Sequence, residues 1–167
     1  VFQAGSFASK QIPEQEHPMG KIFDAVKLFF EGEKWPFVQL GDQTILQLGF
    51  ESETNEWNCY ARIIEEDDQF VFYSLCPEKV PQARLTPVAE YITRANYNLV
   101  MGNFEMDFDD GEVRFKTSVD VEGSQIDAGL IRNVVYANVF IMDRYLPGLL
   151  TVIETNQSAA GVIRAIE

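Results

Sequence analysis

Between Asn103 and Asp120, apolar and charged side chains alternate with a period of two on either side of Asp110-Gly111. That pattern commits the stretch to an antiparallel hairpin, because a strand sends successive side chains to opposite faces. A two-residue turn at Asp110-Gly111, the pairing that favours a type I′ hairpin, sets Phe108 opposite Val113, Met106 opposite Phe115 and Phe104 opposite Thr117. On the other face Asp107 meets Arg114 and Glu105 meets Lys116. Each such pair of opposite charges adds roughly 0.2–1 kcal/mol. A slip of one residue would turn Phe104, Met106 and Phe108 toward water. The acidic run Asp107, Asp109, Asp110 and Glu112 therefore reads as scaffold. A calcium loop needs Asp-x-Asp-x-Asp-Gly and a distant Glu, and here Gly111 comes one place early.

Three earlier runs, 44–51, 57–65 and 69–76, are also strand-like and are separated by the turn-type clusters "SETNE" and "EDDQ". Elsewhere the spacing is helical. Ile22, Phe23, Val26, Phe29 and Phe30 mark a helix from Met19 to Gly32. A second helix spans 87–98, entered past Pro77, Pro81 and Pro87 and closed by Asn98 in the left-handed position. Trp35-Pro36 forces extended chain, and the short run Phe37 to Leu40 turns at Gly41-Asp42. Asp127 caps a long helix whose body is nearly all apolar from Leu130 to Met142, as in a helix buried in a core or a subunit interface. Pro147-Gly148 kinks or interrupts it, and Ser158 caps a last short helix. The order α-β-β-β-α-β-β-α predicts a single α+β domain over 19–167 with a mainly antiparallel sheet. Residues 1–18 are polar and Pro-punctuated and read as a flexible leader.

The middle strands have two apolar faces. One carries Leu46, Leu48, Phe50, Cys59, Ala61, Ile63, Phe70 and Phe72, the natural seat for helices. The other holds Ile45, Tyr60, Ile64, Val71, Tyr73 and Leu75 around Arg62. Either a terminal helix or the Trp35 segment covers this second face, or it is a surface for a subunit or client protein. The candidate protein-binding residues are therefore Tyr60, Arg62, Ile64, Val71, Tyr73 and Leu75. A turn centred on Asp67-Asp68 would place Cys59 opposite Cys76, at or beyond disulfide range. In a reducing compartment both are expected to be free, buried thiols.

Composition narrows the partners. With 26 acidic and 13 basic side chains the formal net charge is −13, which repels phosphate backbones and anionic lipid and makes nucleic acid and membrane poor partners. Two cysteines and one histidine, His17, are too few for a zinc framework. No stretch approaches the ~20 apolar residues of a membrane span, and the N-terminal region lacks a secretory pattern, so a cytoplasmic setting is expected. Phosphate-cradling, dinucleotide-binding, nucleophile-elbow and HExxH motifs are absent from the sequence.

The stretches "WNCYARIIEEDDQFVFYS" (57–74), "TRANYNLVMGNFEMDFDDGEVRFKTSVDVEG" (93–123) and "RNVVYANVFIMDRYLPGLLTVI" (132–153) resemble the YbjN-domain proteins, a bacterial family labelled sensory-transduction regulators. The likeness spans roughly residues 20 to 165 and is to the family's cyanobacterial branch. The family is similar in fold to type III secretion chaperones. The resemblance implies a compact α+β domain, commonly a homodimer, that binds other proteins, uses no cofactor and carries no catalytic residues. The leading expectation is thus a non-enzymatic, chaperone-like or regulatory module that binds a protein client or regulator partner and self-associates. The alternatives are a small hydrolase or metal-dependent enzyme using the acidic clusters at 65–68 and 105–112, and a structural subunit of a larger assembly.

Overall fold

The computed structural model describes residues 3–4 and 20–167. Gln3–Ala4 form a short strand, β1, and α1 (Lys21–Gly32), β2 (Phe37–Gln39), β3 (Ile45–Glu51), β4 (Glu56–Ile64) and β5 (Gln69–Leu75) follow. Then come α2 (Leu85–Tyr97), β6 (Asn103–Met106), β7 (Val113–Asp120), α3 (Ala128–Glu154) and α4 (Ala159–Ile166). The expected α+β order is the order found, with α4 as the last short helix expected after Ser158 and the short strands β1 and β2 added to that order. The leader expected over 1–18 otherwise lies outside the described residues.

Every strand pair is antiparallel, in the spatial order β1-β3-β4-β5-β7-β6, and β2 joins β1 along the same edge of β3. Alternation along β3, β4 and β5 sends Leu46, Leu48, Phe50, Cys59, Ala61, Ile63, Phe70 and Phe72 to one face, where all are buried. The helices pack on that face. Helix α3 lies against β5 and β7, α1 packs on α3, and α2 and α4 close the other flank. Three sides of α3 are therefore taken up by the chain's own core, which accounts for its nearly all-apolar body.

One polar residue fixes α3 in place. Asn138 is fully buried, and its Nδ2 donates toward the carbonyls of Phe72 and Phe115 at 2.9 and 3.1 Å and toward Thr117 Oγ1 at 3.1 Å. Thr117 Oγ1 in turn donates to the Val134 carbonyl at 2.9 Å. Asp127 and Ser158 cap α3 and α4 as expected, accepting from Leu130 N and Gly161 N. Pro147 does not interrupt α3, which runs unbroken from Ala128 to Glu154. Asn98 keeps a right-handed conformation, and the left-handed residue after α2 is Gly102 (φ +77°). A glycine is needed there because a Cβ would strike the Lys116 carbonyl.

Both predicted hairpin registers are displaced by two residues. Phe104 faces Phe115, Glu105 faces Arg114 and Met106 faces Val113, so the connection runs from Asp107 to Glu112. Phe108 is 57% exposed at its tip instead of facing Val113. Two carboxylates organise that loop, Asp107 Oδ1 accepting from Asp109 N at 2.8 Å and Asp110 Oδ1 from Glu112 N at 2.9 Å. Lys79 pairs with Asp110, and Val80 N donates to the Gly111 carbonyl at 2.8 Å. Gly111 (φ +75°) packs so closely on Val80 that no Cβ fits. The second hairpin turns through Glu65–Asp68, with Asp68 left-handed (φ +51°), and Cys59 faces Ser74 rather than Cys76. Here β4 stops early because Glu65 leaves the sheet to cap α1, its Oε1 accepting from Phe23 N at 2.7 Å.

The β6 edge is closed by a side chain. Asn96 Oδ1 accepts from Phe104 N at 2.7 Å and its Nδ2 donates to Phe104 O at 3.1 Å, so one amide occupies both edge-facing backbone groups of Phe104, which another strand would otherwise use.

Candidate protein-interaction surface

The six residues expected at a binding surface lie on the sheet face opposite the helices. Tyr60 is paired with Tyr73 and Arg62 with Val71 across β4 and β5, while Ile64 faces Gln69 and Leu75 faces Arg114. From the row of Ile64 to the row of Leu75 the face extends roughly 20 Å along the strands. No element of the described residues covers it. Trp35 packs on the core side, with its ring 4.9 Å from Phe50 and 5.2 Å from Tyr136, and α4 packs on α2 and α3. The covering expected from Trp35 or a terminal helix is thus absent among the described residues. The shift of two residues in the β4–β5 register leaves this face unchanged, since only an odd shift exchanges faces.

Val71 is 8% exposed and lines a depression of about 260 Å³ together with Gln69, Tyr73, Lys116, Ser118, Val119 and Asp120. The Arg114 guanidinium lies 4.5 Å from the centre of the Tyr73 ring, within cation–π range. Arg114 Nε also donates to Glu105 Oε2 at 2.9 Å, and Lys116 pairs with the other oxygen of the same carboxylate. Burial alone would raise the Glu105 carboxyl, but the hydrogen bonds and charges of Lys116 and Arg114 outweigh it and hold the group below the usual glutamate range. Arg62 is exposed and makes no ion pair among the described residues.

The other sequence candidates resolve into structural parts. Asp107 and Asp110 accept from the backbone of their own loop, and Glu65 caps α1. Among the described residues no group of three or more His, Cys, Asp or Glu is placed to hold a metal ion. Cys59 and Cys76 are free and buried. Cys59 Sγ lies 3.2 Å from Ser74 Oγ, which also accepts from Trp57 Nε1 at 2.9 Å. Burial pushes the Cys59 thiol far above its ordinary value and Cys76 up to about 11, so neither offers a thiolate near neutrality. No helix among the described residues is long and apolar enough to cross a membrane.

One surface was missed from sequence. The end of α2 and the loop after it expose Tyr97 (88%), Val100 (99%) and Met101 (44%) beside an open groove of about 520 Å³ that Leu99, Ala137 and Ile141 help to line. The signal was present in "YNLVMG", where an apolar run follows the helix and precedes a glycine.

The sequence matches, over residues 23–151, the model of the YbjN family, described as "Putative bacterial sensory transduction regulator". Among solved structures it is similar to the crystal structure of YbjN from E. coli. The two are 12% identical with a TM-score of 0.54, and the match covers 74% of this chain and 89% of that one. A chain in the crystal structure of the ExsC-ExsE complex is also similar, at 11% identity and a TM-score of 0.49, with 76% and 92% covered. No curated protein matches. At this identity the likeness to YbjN is one of fold.

Proposed function

We take as premise that the chain belongs to the YbjN family, and we propose that it is a non-enzymatic regulatory or chaperone-like module that works by holding other proteins. Tyr60, Arg62, Ile64, Val71, Tyr73 and Leu75 form its contact surface, residues 19–167 act as one domain, and the cytoplasm is its setting. The observation that carries the reading is the uncovered sheet face, apolar and aromatic over about 20 Å of strand and free of helices among the described residues. The buried, unbridged thiols fit a reducing compartment. The self-association that belongs to this reading is drawn from Tyr97, Val100 and Met101, large apolar groups all exposed within one short stretch of chain.

Affinity purification from native cells, with mass spectrometry of what accompanies the protein, tests the contact surface when a double variant Tyr60→Ala/Tyr73→Ala is run in parallel. With both proteins folded by circular dichroism, the wild type is expected to retain a set of partners that the variant loses. An identical set on both would remove the sheet face as the site of contact.

A further inference from the structure

The open face differs in charge from the rest of the molecule, and on the reading that it is the docking surface that difference names the partner. The chain carries a formal charge of −13, yet the middle of this face holds Arg62, Arg114 and Lys116 with Glu105 as the acid among them. Glu105 is shared by Arg114 and Lys116, and Arg62 has no acidic partner among the described residues. Of the other carboxylates, Glu112 reaches Arg114 at 3.9 Å, Asp120 faces Gln69 one row from Val71, and Glu51 faces Glu56 at the far edge. Arg62 is the neighbour of Val71 across β4, and Lys116 lines the depression on β7, where Asp120, held by Gln69 Nε2 at 3.1 Å, is the one acid among the lining residues. Those two strands are separated by β5 and Lys116 lies one row along from Arg62, so the cations' backbones lie roughly 12 Å apart. In an extended peptide, residues two apart point the same way and are spaced by roughly 7 Å. An aliphatic residue seated over Val71 therefore brings side chains at i−2 and i+2 within reach of Arg62 and Lys116. A polyphosphate would meet the repulsion of the whole acidic chain, whereas one or two carboxylates meet mainly the local cations.

We propose that the open face recognises an extended segment of a partner protein in which an aliphatic residue is flanked at i−2 and i+2 by Asp or Glu. The apolar floor supplies the anchor, and Arg62, which makes no ion pair among the described residues, supplies the choice of charge.

Fluorescence anisotropy with three labelled peptides of one frame, Gly-Ser-X-Ser-Leu-Ser-X-Ser-Gly with X as Glu, Gln or Lys, reads this out. The Glu peptide is expected to bind at least about tenfold tighter than the Lys peptide, with an advantage that shrinks as salt is raised. Arg62→Glu and Ser118→Glu, both at exposed positions, should each abolish that preference while leaving the thermal melt in place. Equal binding of all three peptides, weakened by Tyr73→Ala, would overturn the charge preference and leave the docking face standing. Glu-peptide binding untouched by Arg62→Glu and by Tyr73→Ala would overturn both. Failure of every peptide to bind would overturn this recognition rule, and the partner capture described above would then decide the face separately.

Discussion

Glu105 answers two cations at once on the sheet's outer face. Its carboxyl is lower in the folded chain than in the unfolded one, because the hydrogen bonds and charges of Lys116 and Arg114 outweigh its partial burial. Such a group binds fewer protons folded than unfolded. Its contribution is fully present above the unfolded value of about 4.3 and is lost as pH falls through the depressed folded value. Glu105→Gln is therefore expected to cost ~1 kcal/mol at neutral pH and progressively less under acid, read as the gap between urea midpoints of the two proteins. A gap that stays constant from pH 7 to about pH 3 would show that the ion pairs contribute nothing. The same neighbourhood shows what alternation can and cannot specify. Apolar residues at every second position fixed which face Phe104, Val113 and Phe115 take, and that much was legible. Alternation is indifferent to a shift of two, so the pairing of Asp107 with Arg114 was open to error. Lys79 and Val80 settled it from a distant loop by gripping Asp110 and Gly111. The expected opposition of Cys59 and Cys76 failed in the same way, through the reach of Glu65 to the start of α1.

At the scale of elements, α3 is tied to the sheet by one buried amide as well as by its packing. Asn138 ties the helix to the carbonyls of Phe72 and Phe115 on two adjacent strands. Substitution by Ala strands those polar groups in an apolar core and should destabilise the fold by about 1–3 kcal/mol. Chemical denaturation read by far-ultraviolet circular dichroism measures it, and a variant as stable as the wild type would deny the amide its structural part. The helix spans themselves were readable from apolar spacing, and the caps at Asp127 and Ser158 from residue type. The continuity of α3 through Pro147 was not, because packing on the sheet, α1, α2 and α4 outweighs the local preference of one proline. Sequence named the residues of the second sheet face correctly but left its cover undecided, since nothing local says where Trp35 or α4 will land.

For the whole molecule the open question of association has a direct measurement. Light scattering should give a mass of twice the 19.0 kDa chain, and Val100→Glu should return it to the single-chain value. Val100 is 99% exposed, so the substitution leaves the fold alone, and a single-chain mass at every wild-type concentration would end the case for self-association. A patch of this kind was hard to see beforehand because exposure belongs to the assembled surface and not to any window of sequence. Asn96 bears on the same matter from the opposite direction. Molecules that meet sheet to sheet can go on adding neighbours in file, each newcomer leaving a fresh rung for the next. By seating its own amide on Phe104, this chain blunts one end of that ladder. Were copies of it to pair, that edge would work against endless stacking and favour contacts that finish after a counted number of copies.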